Sequence, residues 1–275
     1  MEHFYFGPQS RRLFGALSRP AGNASIGLVF CPPFGLEMSF TYSHFARWAK
    51  ELSARGVAVL RFHPFGTGDS DGTSGEFTLD GMLNDTLEAL SYLSEVAKPH
   101  RVGLFGVRLG AFVAAQVAEA SRADLLMLWS PVISMRQYVR ELLRQQLAKE
   151  LVHQQVERVR MTTQNMISEL EAGRSLDLIG GEFSAELYRQ MDADPQWPDR
   201  PSAPHVLWLG RPRERNQAAG IVDSWRQRGV GAEFGLLEES PFWESGAGRF
   251  PETFTKASVA WLEKKRAARS GNPYE

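Results

Sequence analysis

The chain has 275 residues, 43% of them hydrophobic, which is enough for one large α/β domain with an insertion or for two small domains and excludes global disorder. A formal charge of −1 gives no general electrostatic reason to bind nucleic acid or an anionic membrane. The single cysteine, Cys31, excludes an internal disulfide and suits a reducing cytosol. Residues 1–8 lack the basic region and long apolar core of a signal peptide, and no apolar run approaches a membrane span, so a soluble, cytoplasmic protein is expected.

Residues 3–6 are short and aromatic and are broken by Gly7 and Pro8; residues 13–17 form a second short strand candidate, and the two predict an antiparallel hairpin. Residues 26–31 are a continuous apolar run ending at Pro32, the pattern of a buried parallel strand. Phe45, Trp48, Ala49 and Leu52 recur at helical spacing, with Gly56 as the stop. Residues 57–62 are the next buried strand, followed by a glycine-rich loop over 63–72. Thr78 or Asp80 caps a helix whose apolar face includes Leu83, Leu87 and Leu90.

Residues 102–105 form a third buried strand, followed by Gly106, Val107, Arg108, Leu109 and Gly110, then by a helix of closely packing alanines. Glycines two residues either side of a central position match the nucleophile elbow, Gly-x-Ser-x-Gly, in which a strand turns sharply into a helix. Arg108 stands where the serine belongs. Residues 125–129 are a fourth strand; strand and helix alternate to this point, which predicts right-handed crossovers and a mostly parallel sheet.

From 135 the chain becomes rich in Gln, Arg and Glu at helical spacing, with Tyr138, Leu142, Leu143, Leu147, Leu151, Val156 and Val159 as its apolar positions and no strand candidate within it. This inserted helical segment continues through 183–191, and the proline-rich stretch 194–204 leads back. Residues 205–209 resume the sheet, Ile221, Val222 and Trp225 mark a helix, 232–237 are the last strand, and Pro251 opens a terminal helix with Phe254, Ser258, Trp261 and Leu262 on one face. Residues 269–275 are expected to fray. The expected division is a core over 1–133 and 201–275 with a helical lid over 134–200.

The element order, an elbow after the third parallel strand and a helical lid after the next, resembles the α/β-hydrolase fold over nearly the whole chain. Cys31 to Gly35 fall where such proteins carry their first oxyanion-hole loop. The run from Arg61 to Gly72 is similar to their Arg-x-Asp-x-x-Gly-x-Gly-x-Ser loop, with His63 in place of the aspartate. The opening Phe-Gly-Pro, the Gly-x-Arg-Leu-Gly-Ala elbow, the motif from Gly181 to Tyr188 and the late Pro-Phe-Trp at 241–243 resemble the exosortase-system-associated hydrolases and their biosynthetic-cluster relatives. The resemblance implies a lidded pocket at the carboxyl edge of the sheet.

Acyl transfer on that fold needs a serine on the elbow, then an acid, then a histidine. Arginine cannot attack a carbonyl. The histidine belongs near 238–248, yet no histidine follows His205. Glu214 sits where the acid belongs, without its partners. Loss of two members argues against a standard serine hydrolase.

At the start of a helix, Arg108 needs a negative partner. Glu37, Asp69, Glu214, Glu238 and Glu239 lie on loops at the same sheet edge, so an internal salt bridge and a bidentate ligand carboxylate or phosphate are both open. Residues 135–165 carry six basic residues (Arg136, Arg140, Arg144, Lys149, Arg158 and Arg160) against three acidic ones, which suits an anionic ligand or a solvated helix face. Cys31 and His63 end strands expected to be neighbours; a thiolate–imidazole pair is one reading, a buried small residue and a loop histidine the other. The 66–72 loop lacks the Gly-Lys-Ser/Thr ending of a phosphate-binding P-loop. No ligand cluster supports a metal, and no cofactor is implied.

The leading expectation is therefore a hydrolase-like protein without a serine triad that binds or processes an acyl- or carboxylate-bearing small molecule. Arg108, Val107, Phe34, Gly35, His63 and Trp243 would line the pocket. Trp129, Trp208 and Phe242 are expected near its mouth, with core packing the other reading for the first two. One alternative is an ester or thioester hydrolase or acyltransferase using Cys31, with His63 and Glu214 as further catalytic candidates. A second is a partner-binding scaffold. A homodimer stays open, and no nucleic-acid partner is expected.

Overall fold

The computed structural model describes residues 1–152, 162–178, 180–244 and 248–267. Val156, Val159, Arg158, Arg160 and the stretch 269–275 lie outside these residues, as do the side chains of Lys149 and Leu151.

Strands β1 (Glu2–Phe6) and β2 (Leu13–Ser18) form the antiparallel hairpin expected from their aromatic and apolar runs. The other strands of the main sheet are β3 (Ile26–Cys31), β4 (Val57–Phe62), β5 (Arg101–Val107), β6 (Leu125–Trp129), β9 (His205–Gly210) and β10 (Gly231–Leu236). The order is β1-β2-β4-β3-β5-β6-β9-β10, antiparallel through β4 and parallel from there on. Helices α2 (Leu79–Ala97), α3 (Leu109–Ala120) and α7 (Arg215–Gln227) pack on one face; α1 (Leu36–Ser53) and α8 (Glu252–Ala267) pack on the other. The central strands are buried on both sides, which is why they read as unbroken apolar runs. This is the α/β-hydrolase fold.

Between β6 and β9 the chain runs through α4 (Met135–Val152), α5 (Thr163–Glu171), the strands β7 (Leu176–Leu178) and β8 (Gly181–Phe183), and α6 (Ala185–Asp192). The β7–β8 hairpin corrects the expectation of uninterrupted helix. Three-residue strands are too short to display alternation, and Gly180 and Gly181, at φ 109° and 133°, supply the turn. Asp194 closes the segment: its carboxylate accepts from the Met135 amide (2.9 Å) and the Ser134 hydroxyl (3.2 Å), placing negative charge at the start of α4. In α2 the cap is Thr78, which accepts from the Gly81 amide, but Leu87 is exposed; the buried face runs through Leu79, Met82, Ala89, Leu90 and Leu93.

The elbow glycines are required by close approach. A Cβ on Gly106 would lie 2.2 Å from the Gly110 carbonyl oxygen, and one on Gly110 would lie 2.2 Å from that of Cys31. Backbone cannot retreat from such contacts without moving α3 off the sheet. Gly110→Ala is therefore expected to cost about 3 kcal/mol or more in urea-denaturation stability; a loss under about 1 kcal/mol would mean the turn is not close-packed.

Candidate functional site

All parallel strands end at one edge, where loops meet above β5. There Arg108 joins β5 to α3 at φ 55°, ψ −121°, a strained turn for a residue with a side chain. Its amide donates to the Trp129 carbonyl (3.2 Å) and its carbonyl accepts from the Val132 amide (3.2 Å), so the turn is pinned to the end of β6.

The Arg108 side chain is buried and ion-paired within the protein. Nε donates to Glu37 Oε1 (3.0 Å) and Nη2 to Glu141 Oε2 (2.9 Å). The Tyr138 hydroxyl donates to Glu37 Oε2 (2.9 Å), and the guanidinium faces the rings of Tyr138 and Trp243 at 5.3 and 5.6 Å. Burial pushes the Glu37 carboxyl up against the pull of Arg108. Burial also opposes the charge on Arg108, but Glu37, Tyr138 and Glu141 together outweigh it and the guanidinium stays ionised.

Of the acids expected to face Arg108, Glu37 meets it directly, and Glu214 feels the Arg108 charge without a hydrogen bond to it. Asp69 instead lies 3.5 Å from His63, and Glu239 accepts from the Thr253 amide (2.9 Å). Glu141 was not among the expected partners, because it reads as one of many charges on an amphipathic helix. Its spacing of three from Tyr138 is the only signal of a shared inward face.

Glu214 follows β9, where the acid of a triad belongs. Its carboxylate accepts from Arg211 Nε and from the Arg211 amide (both 3.0 Å) rather than from an imidazole. Burial pushes its carboxyl up, with Ser130 and Arg108 acting against that. Arg211 lies with Cζ 4.7 Å over the Trp243 ring. Trp243 is thus covered by two guanidiniums and buried, and Phe242 is buried too, which corrects the expectation of a pocket mouth for these two; Trp129 and Trp208 are buried, in line with the core-packing reading. Trp129 stacks on Trp48 and donates to Ser258 (2.9 Å).

Val107 is wholly buried at the end of β5, packed with the α1–α8 face. Cys31 is wholly buried on the opposite face, its thiol pushed up by burial and lowered only slightly by Thr86. His63 lines a hollow beneath α1; its Nδ1 accepts from the Asp69 amide (2.9 Å) and burial pushes its pKa down. Although β3 and β4 are neighbours as expected, Cys31 and His63 belong to different faces and are not brought together. Phe34 packs on Phe77 and Phe183, and with Gly35 it lines a hollow of about 240 Å3 between the 66–68 loop and the β7–β8 hairpin.

Beside Arg108 a solvent-open cleft of about 700 Å3 runs between α4 and the loop after β9. Four arginines (Arg108, Arg140, Arg144 and Arg213) line it against two carboxylates, Glu141 and Glu214. Arg213 lies 3.7 Å from Glu244, while Arg140 and Arg144 are exposed. Among the described residues no group of three or more His, Cys, Asp and Glu is placed to hold a metal.

Removing one member of a buried ion pair leaves the other uncompensated. Arg108→Met is expected to lower unfolding free energy by about 3–5 kcal/mol, with much of the loss recovered by adding Glu37→Gln. In the single variant Glu37 keeps its proton more readily folded than unfolded, so stability should fall as pH rises above the ordinary carboxylate range. The double variant should lose that slope; a flat profile in Arg108→Met would show that Glu37 is not the stranded charge.

The sequence profile of the family described as serine aminopeptidase, S33, matches residues 37–205, more than half of the chain. No curated protein matches it in sequence. Est1E from Butyrivibrio proteoclasticus with ferulic acid bound superposes with a TM-score of 0.67 at 15% identity, covering 96% of this chain and 99% of that one. The α/β hydrolase GrgF from Penicillium superposes at 0.62 with 16% identity (97% and 99% covered), and mouse α/β hydrolase domain-containing protein 10 at 0.63 with 15% identity (96% and 99%). At these identities the likeness is one of fold. With its profile match, its sheet order and its strand–turn–helix elbow, the chain belongs to the serine aminopeptidase S33 family of the α/β-hydrolase superfamily.

Proposed function

We propose that this protein is a non-hydrolytic member of its family that binds an acyl- or other carboxylate-bearing small molecule in the cleft beside the elbow. One observation carries the reading: the nucleophile position holds a charged arginine clamped by Glu37 and Glu141, at the floor of a cleft where arginines outnumber carboxylates. A guanidinium at that place cannot form an acyl intermediate, and no histidine follows His205 to serve as base. It can hold an anion.

Arg108 is the inner anchor, and Glu141 is its exchangeable partner. Glu37 is buried, whereas the Glu141 side chain is 38% exposed and carried by α4. A ligand carboxylate replaces Glu141 on Nη2, and Arg140, Arg144 and Arg213 draw it in. In this reading residues 134–200 form the lid over a core of 1–133 and 201–275, and the protein works in the cytoplasm. The reading in which Cys31 serves as nucleophile finds no support in a thiol that is wholly buried and held protonated.

The test is calorimetric titration with octanoate and cinnamate against their amides. The acids should bind and the amides should not, with affinity falling as salt rises. Arg140→Ala and Arg213→Ala should each weaken binding about two- to fivefold, as exposed charges do. Glu141→Gln should strengthen it about tenfold by freeing Nη2. Turnover of short acyl esters or thioesters that vanishes in Cys31→Ala would overturn the proposal, as would binding indifferent to Glu141→Gln.

A further inference from the structure

The cleft beside the elbow holds positive charge that its own carboxylates do not meet. Of those two carboxylates, Glu141 is held by Arg108 and Glu214 by Arg211. Arg213, on the loop after β9, faces Glu244 at 3.7 Å. Arg140 and Arg144 are left over. Both line the cleft, both are exposed, and neither is ion-paired among the described residues. They stand four residues apart on α4, about 6 Å along its axis, so they rise from one face of the helix. Like charges at that spacing weaken a helix, and an anion that bridges them removes the repulsion. A guanidinium is also the side chain best shaped to receive a carboxylate.

The walls of the cleft favour a ligand that is polar at both ends. Its apolar stretch, Pro131 to Ile133, adjoins the elbow, where the Val132 amide donates to the Arg108 carbonyl (3.2 Å). Apart from Tyr138, the rest of the lining is charged or carries the neutral polar groups of Ser134, Gln137 and Gln217. A long fatty tail gains little by burial against such walls, because hydrophobic stabilisation follows the apolar area removed from water. At about 700 Å3 the cleft has room for a chain of several carbons with a charged group at each end.

We infer that the ligand of this cleft is a dicarboxylate, with one carboxylate on Arg108 and the other bridging Arg140 and Arg144. The inference rests on the reading of Arg108 as an anion anchor, and narrows its ligand from acids in general to acids with two charged ends. The connecting carbon chain crosses Pro131 to Ile133. The inner carboxylate meets a buried guanidinium already fixed by Glu37, and the outer one meets two exposed guanidiniums carried by α4.

The experiment is calorimetric titration of the intact protein with glutarate, adipate and suberate, each against the monoacid of the same chain length, and with 8-hydroxyoctanoate as the control for a polar but uncharged end. At low salt the best diacid should bind about fivefold or more tighter than its monoacid, and 8-hydroxyoctanoate should bind like octanoate. The advantage should shrink as salt rises. The double variant Arg140→Gln/Arg144→Gln, whose substitutions are exposed, should bring the diacid to within about twofold of the monoacid. Arg213→Ala should weaken both acids alike and leave the advantage in place. Monoacids that bind as tightly as every diacid would overturn this inference and leave the anchor role of Arg108 standing, whereas failure of every acid to bind would overturn both. An equal loss for monoacid and diacid in the double variant would also overturn it, by assigning the arginine pair to Glu141 once the ligand has displaced that side chain.

Discussion

The buried ion pair of Arg108 with Glu37 organises the carboxyl edge of the sheet. It joins the first turn of α1 to the first turn of α3, and through Tyr138 and Glu141 it reaches α4. The start of α1 is a favourable place for a carboxylate, since the helix end already presents positive partial charge. A pair of this kind adds little net stability over an apolar filling, yet it is intolerant of losing one member. Its effect is registration: α4 docks only where Tyr138 and Glu141 meet charges already fixed by the core.

The turn that places Arg108 costs about 1–3 kcal/mol of backbone strain in a residue other than glycine. Gly106 and Gly110 cannot be replaced without collision, so the strand, the turn and the helix form one rigid unit. The turn's geometric consequence is to lift the side chain of the central residue into the space above the sheet. That consequence is independent of which side chain is lifted. Here the rigid frame presents a fixed positive charge, whose partners decide whether it closes the cleft or serves it.

Most of the architecture was legible because buried parallel strands write continuous apolar runs. The runs at 26–31, 57–62, 102–105 and 125–129 all became central strands, and the glycine frame identified the turn. The β7–β8 hairpin was not legible, being too short for periodicity to register. At the site, Arg108 and Glu214 fell where the pattern put them, but their partners did not announce themselves. Glu141 and Arg211 sit among many charged residues, and inward orientation depends on helix phase and on the exact turn after β9. Trp243 reads from the sequence as a pocket wall, because only the packed fold brings two guanidiniums over its ring.

In the proposed reading, the three places where this fold carries a triad are each filled by other groups, and the replacements belong together. Arg108 takes the nucleophile position and is neutralised by Glu37. Glu214 keeps the acid position and turns to Arg211. The loop after the last strand, where a histidine belongs, brings Trp243 against both guanidiniums, 5.6 Å from one and 4.7 Å from the other. A triad works by passing a proton along a line of groups that titrate near neutral pH. Guanidinium and indole do not exchange protons in that range. In that reading the site holds charge in fixed positions, and among the described residues Arg108, Trp243 and Glu214 offer no route for a proton from the elbow to the acid. That is the physical content of the proposed anion binding: a frame that in a triad has to move a proton has here only to place a charge.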